Sequence, residues 1–192
     1  IRTSQQYRLQ WACRMLEREV RVADSALIGN LMTSVSFYAN TTIYIIAGLV
    51  AVLGTLDKVV SVTADFPFAR EVTRDLLELK LLLLFGVFVV AYFKFTWSLR
   101  QFNLLSILVG AAPNVDVFNE GGADRQEFGD RAGKLMGMAA ESFADGLRAY
   151  YMSFAVIAWL VSPVAFALGT LAVLWILYRR EFRSDVLAIL RP

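Results

Sequence analysis

Six polar residues flanking long apolar stretches are the ones whose types and spacing could do chemistry in this chain. Lys94, Arg100 and Asn103 close one such stretch, and Glu141, Asp145 and Arg148 open another. An ionisable side chain at the edge of hydrocarbon is costly unless it meets an opposite charge or lines water, so the six point to intramembrane pairing or to a solute pathway. A lining rich in Lys and Arg would favour anions. Bond-making chemistry has less to work with. Histidine is absent and Cys13 is the single cysteine, so no internal disulfide can form and no Cys/His cluster is available for zinc, iron–sulfur or haem. Neither Gly-x-Ser-x-Gly nor His-Glu-x-x-His occurs, and no carboxylates form a recognisable pair, so the chain is read as non-enzymatic, with no catalytic, metal or cofactor-binding residue and no cofactor. Gly129-Asp-Arg-Ala-Gly133-Lys134-Leu135 is not a phosphate loop, because three residues rather than four separate the glycines and no Ser or Thr follows the lysine.

The elements that must position these residues are membrane helices. Apolar residues make up 57% of the 192 and charged residues only 19%, which departs from a soluble domain toward a multi-span bundle. The net charge of +2, with no basic run carrying interleaved aromatics, speaks against nucleic acid. Residues 1–34 carry Leu9, Ala12, Cys13, Leu16, Val20, Ala23 and Leu27 at three- and four-residue steps, one apolar stripe on a charged helix, and are expected to form an amphipathic interfacial helix. The transmembrane domain is expected over 35–192. Residues 35–56 are 22 residues without a charge, about 33 Å of helix and enough to cross a bilayer core. Within them Asn40 is expected to donate an interhelical hydrogen bond; Asn40-Thr41-Thr42 matches a glycosylation sequon, but inside a span no transferase could reach it.

A polar connection with Pro67 between Phe66 and Phe68 leads to the second span, 76–97, whose centre is an unbroken apolar run from Leu81 to Phe93. At 100° per residue Lys80, Lys94, Ser98 and Gln101 share one side of this helix, and Glu78, Thr96, Arg100 and Asn103 the other. Gly110-Ala-Ala-Pro113 stops it, residues 114–124 read as loop, and a helix starts at Arg125. On that helix Gly129, Gly133 and Gly137 recur every fourth residue, a small-residue stripe for close helix packing and assembly. Residues 149–178 form one uncharged, mainly apolar stretch of 30, about 45 Å as one helix and more than a bilayer needs, divided by Pro163. A hairpin there puts fourteen Lys and Arg on one side of the membrane against three on the other, so four spans are expected, near 35–56, 76–97, 140–161 and 163–178, with both ends cytoplasmic. Trp97, Tyr150, Tyr151, Trp175 and Tyr178 would then form an aromatic belt on the cytoplasmic side.

Phe93-Lys94-Phe95-Thr96-Trp97-Ser98-Leu99-Arg100-Gln101-Phe102-Asn103, with Gly146-Leu-Arg148-Ala-Tyr150-Tyr151 and Tyr178-Arg-Arg-Glu-Phe182, resembles the bacterial and plant membrane-protein family catalogued as domain of unknown function 599. The resemblance covers essentially the whole chain. It implies an all-α, multi-pass membrane protein and brings no activity or functional residue with it; the location expected is the bacterial inner membrane. Members usually carry one more apolar segment upstream, and with the start at Ile1 rather than Met this leads us to expect a preceding piece. Two functions fit: an oligomeric permeation module for an ion or small solute, or an accessory or scaffold subunit of a larger membrane complex. The partners expected are the lipid bilayer and either further copies of the chain or another membrane protein.

Overall fold

Residues 2–56 and 73–182 are described by a computed structural model of the chain, and every regular element among them is an α-helix. In order these are α1 (Arg2–Met15), α2 (Val22–Leu53), α3 (Arg74–Gly110), α4 (Val115–Asn119), α5 (Arg125–Val161) and α6 (Pro163–Phe182). Three of them, α2, α3 and α6, are long and apolar enough to cross a membrane. Helix α5, which contains the expected span at 140–161, is not among the three, because Asp145, Arg148 and the two tyrosines at 150 and 151 dilute its apolar half. The connection around Pro67 and the tail arginines at 183 and 191 lie outside the described residues.

The amphipathic stretch over 1–34 is two elements rather than one helix. After α1 the chain tightens through i to i−3 hydrogen bonds at Leu16, Glu17 and Arg18, then restarts as α2. The cause is Asp24, in the first turn of α2, whose fully buried carboxylate accepts from Trp11 Nε1 at 2.7 Å and from Arg18 Nη1 at 2.6 Å. In one straight helix residues 11 and 24 would stand about 20 Å apart, so the contact requires the break. Arg21 completes the corner by donating to the carbonyls of Ala112 and Pro113 at 3.0 and 2.6 Å, which would otherwise be left open just past the end of α3.

Residues 114–124, expected as loop, contain the five-residue α4. Phe118 anchors it: buried, edge-on to Phe128 at 6.3 Å, with the Arg125 guanidinium 5.5 Å above its ring. The helix ends where Gly121, at φ 76°, takes the left-handed conformation while Gly122 N donates to Val117 O and Gly121 N to Phe118 O. Asp124 then caps α5, its Oδ1 accepting from the backbone N–H of Gln126 at 2.8 Å and of Glu127 at 3.1 Å.

The helices divide into two compact units, with α2, α3 and α5 each contributing one half to either. The first comprises residues up to Tyr38 together with Lys94–Ala144. Its centre is a triangle of rings from three helices, Tyr38, Phe95 and Phe143, with centroids 5.4 to 5.7 Å apart. Two hydrogen bonds join α3 to α5 below it: Ser98 Oγ to Ala139 O at 2.7 Å, and Ser142 Oγ to Gln101 Oε1 at 3.0 Å. Helix α1 closes the unit by running antiparallel to α5, its Cys13, Leu9 and Gln5 lying over Gly129, Gly133 and Gly137 in turn. Gln5 Nε2 donates to Gly133 O at 3.0 Å.

The second unit comprises, among the described residues, those of Ala39–Phe93 and those from Asp145 to Phe182. Leu56, Leu77 and Leu81 form one buried cluster and Leu84, Phe88 and Val156 another. Tyr150 reaches inward to both neighbours: its hydroxyl is 2.7 Å from Thr42 Oγ1, and its ring is edge-on to Phe88 at 5.3 Å. Tyr150 therefore does not belong to the aromatic belt, and the interhelical role expected for Asn40, which is exposed, falls to Thr42 two residues on. The stretch 149–178 is a hairpin. Ser162 caps α6, its Oγ accepting from Ala165 N at 3.0 Å, and Pro163 fills the first helical position, where no N–H is needed. The legs return side by side: Trp159 meets Phe166 at 5.5 Å, and a methyl group at Gly169 would stand 3.2 Å from Ala158 Cβ.

Candidate functional site

At the open end of the α5–α6 hairpin, charges from both legs converge. Arg148 Nη1 donates to Asp145 Oδ1 at 2.6 Å, while its Nε and Nη2 donate to Glu181 Oε1 at 2.8 and 2.6 Å. The guanidinium fork thus spends three donors on two carboxylates from two helices, a use that a lysine could not reproduce. One turn further in, Arg180 donates to the Tyr151 hydroxyl and lies 5.7 Å from the centre of that ring. Two guanidiniums and two carboxylates leave the cluster without net charge. Arg148, Asp145 and Glu181 are about one-third exposed, 35%, 32% and 40%, so each pair is worth on the order of 0.2–1 kcal/mol. What the cluster does best is fix the register of one leg against the other.

Of the six residues singled out in the sequence, Asp145 and Arg148 meet. Arg100, Asn103 and Glu141 are exposed, and Lys94 is half-buried. Arg100 lies over the Trp97 ring, 5.7 Å from its centre, instead of meeting Glu141. The two polar sides of α3 have separate fates: Lys80, Ser98 and Gln101 are buried, whereas Arg100 and Asn103 face outward. The glycines at 129, 133 and 137 face α1 of the same chain. Among the described residues no group of three His, Cys, Asp or Glu is placed to hold a metal ion.

Helical spacing places Lys80 on one side of α3 with Lys94, Ser98 and Gln101 but does not show its task. Pro163 has no N–H, so the carbonyl of Trp159, four residues earlier, has no helical donor. Lys80 Nζ takes that place, 2.9 Å from Trp159 O and 5.3 Å from the centre of the Trp159 ring, at the negative end of α5. Glu181 was missed too. Folding the chain about Pro163 puts 148 and 181 at nearly equal distances from the turn, a signal the sequence does carry.

No curated protein and no solved structure matches the chain. An all-helical fold with three helices fit to cross a membrane agrees with what the motifs at 93–103, 146–151 and 178–182 imply. The family model described as a protein of unknown function, DUF599, matches residues 1–186, nearly the full length, and the chain belongs to that family.

Proposed function

We propose that this chain is a non-catalytic integral-membrane subunit that works by association, as an accessory or scaffold component, with the second unit as its membrane bundle. The observation that carries the reading is the fate of the candidate pathway residues. Asp145 and Arg148 are tied into the α5–α6 cluster, and Arg100, Asn103 and Glu141 are turned outward, so these five line no lumen among the described residues of either unit. Charge segregation supports the membrane assignment. In the second unit α3 from Arg74 to Phe93 has its charges at 74, 75, 78 and 80, near one end, and the hairpin has its charges at Asp145, Arg148, Arg179, Arg180 and Glu181, near its open end. Helix α6, with 20 residues, is about 30 Å long and matches the bilayer core. We take the α5 leg as the fourth span, with Arg148 held neutral by Asp145 and Glu181 at the cytoplasmic interface and both chain ends on that side.

Arg100 and Asn103, three residues apart and both exposed on α3, favour a second reading, in which several copies arrange this cationic edge around a shared anion path. One experiment separates the two: extraction in native lipid nanodiscs, measurement of particle mass, and anion flux after reconstitution. A stoichiometric second membrane protein with no flux supports the subunit reading. A homo-oligomer whose flux is lost on Arg100→Glu overturns it in favour of permeation.

A further inference from the structure

A cavity of about 270 Å³ lies inside the first unit, between α1, α2, α3 and α5. Its wall is mostly apolar and aromatic, from Trp11, Val35, Phe102, Met136 and Phe143, with the Ser34 side chain and a single cation, Arg8. The Arg8 guanidinium carries five N–H donors, and the partner it has is the Ser4 hydroxyl, 3.2 Å from Nη1; no described carboxylate answers its charge. By contrast Arg18 spends its charge on Asp24, and Arg21, half-buried like Arg8, donates to the main-chain carbonyls of Ala112 and Pro113. Burial also pulls the Arg8 pKa below its ordinary value, the mark of a cation that has lost water without gaining a counter-ion. An apolar chamber with one unanswered cation at its wall is complementary to a molecule with an apolar chain and an anionic head.

We propose that this cavity binds a single-chain anionic amphiphile, with its carboxylate or phosphate on Arg8 and its hydrocarbon chain against Phe102, Met136 and Phe143. Size sets the chain length. At about 30 Å³ per water-sized group, the cavity holds roughly nine such groups, which is a chain of about eight to ten carbons. The head could belong to a free fatty acid or to a lipid phosphate, and the two share the chemistry that Arg8 recognises. The site is independent of whether the chain acts as a subunit or a pore, since it lies within one unit and uses none of the residues at 94–103 or 141–148 that distinguish those readings, apart from its wall residues Phe102 and Phe143.

The test uses the full chain in zwitterionic nanodiscs, titrated with decanoate, decyl phosphate, decan-1-ol and acetate, and follows Trp11 emission and thermal melting. Saturable binding of decanoate, decyl phosphate or both, with decan-1-ol and acetate at least about tenfold weaker, is the expected result. Preference between the two anions assigns the head to a fatty acid or to a lipid phosphate. Arg8→Gln should weaken binding about tenfold or more, and Arg8→Lys should retain part of it. Met136→Trp should block the site by filling the chamber with the cation intact. Each variant is first required to melt within a few degrees of the parent, and Val35→Phe replaces Met136→Trp as the filling variant if that one does not fold. Decan-1-ol binding as tightly as decanoate, or binding unchanged in Arg8→Gln, would overturn the proposal.

Discussion

Replacing Gly133 tests the packing of α1 on α5 where the geometry is least forgiving. A methyl group there would stand 2.7 Å from Leu9 Cδ2, 3.3 Å from Leu9 Cγ and 3.0 Å from Leu9 Cα. The methyl of Leu9 can rotate away, but Cα is main chain, and relieving it means moving α1 outward. Overpacking of this kind costs about 1–3 kcal/mol. Against it stands the gain from replacing a mid-helix glycine with alanine, about 1 kcal/mol. The balance for Gly133→Ala is thus a loss of roughly 0–2 kcal/mol, and Gly133→Leu, with three more carbons and no space, should release α1 altogether. The neighbouring glycines rank the effect. At Gly129 the obstacles are Cys13 Sγ at 2.7 Å and Cys13 Cα at 3.2 Å, slightly looser, whereas at Gly137 the obstacle is the flexible end of Gln5. Gly137→Ala should be close to neutral, the lost Gln5 to Gly133 hydrogen bond offsetting the helix gain. Gly29, with nothing within 4 Å of its added methyl, is the control and should gain. At about 2–4 °C per kcal/mol, thermal melting resolves the order 133, 129, 137, 29 from most to least destabilised. Gly133→Ala melting as high as Gly29→Ala would refute the close approach of α1.

Lys80→Met should leave the Trp159 carbonyl without a donor and lower stability by about 1–3 kcal/mol, with Lys80→Arg milder; melting equal to the parent for Lys80→Met would remove the lysine from the hairpin turn. The Cys13 thiol is pushed above its ordinary range, first by burial and then by the carboxylates of Asp130 and Glu17. A raised pKa means less thiolate at any given pH, so the alkylation rate of folded protein should reach its midpoint at higher pH than that of denatured protein, and Asp130→Asn should shift it part of the way back; coincident midpoints would contradict this. In a Cys13→Ser background, single cysteines at Gln126 and Arg179 should label from the cytoplasm and one at Val161, beside the hairpin turn, from outside. Labelling of 161 and 179 from the same side would end the four-span reading.

Much of this architecture was legible because local chemistry specifies it. The stop at Gly110-Ala-Ala-Pro113, the start at Arg125 and the turn at Ser162-Pro163 each follow from what glycine, proline, serine and aspartate do to a backbone, whatever surrounds them. The failures share a different cause. The apolar steps of residues 1–34 run straight through the turn after Met15, since periodicity cannot register that Asp24 is wanted by Trp11 and Arg18. Asn40 and Thr42 are equally capable of an interhelical hydrogen bond, and only the position of Tyr150, 108 residues away, chooses between them. Arg100 and either Glu141 or Asp145 have opposite charge at similar expected depth, yet Arg100 lies over Trp97, three residues away on its own helix. Pairing inferred from depth alone ignores azimuth, and azimuth is what separates the buried from the exposed side of α3.

The lengths of the helices carry the last step. Helix α2 has 32 residues and α3 and α5 have 37 each, about 48 and 55 Å, against a hydrocarbon core of about 30 Å. Under the proposed membrane placement each leaves roughly 18–25 Å outside it, and one helix then has to be stable in two solvents. The sequence of α3 meets that demand by changing its method along its length. From Leu77 to Phe88 it contributes leucine and phenylalanine to clusters that in lipid would be held by close packing rather than by exclusion of water. From Phe95 onward it adds Ser98 and Gln101, whose hydrogen bonds to α5 fix azimuth, around a fully buried Phe95 whose removal from water is worth about 1.5–3 kcal/mol. Under the proposed membrane placement, the residues at 94–103 are where the change occurs: Lys94 half-buried, Trp97 and Arg100 stacked on the outside, Ser98 and Gln101 inside. A lysine, an exposed tryptophan under an arginine and a turn of buried polar contacts are what a helix needs in passing from lipid to water, which accounts for this motif without requiring any of its residues to conduct.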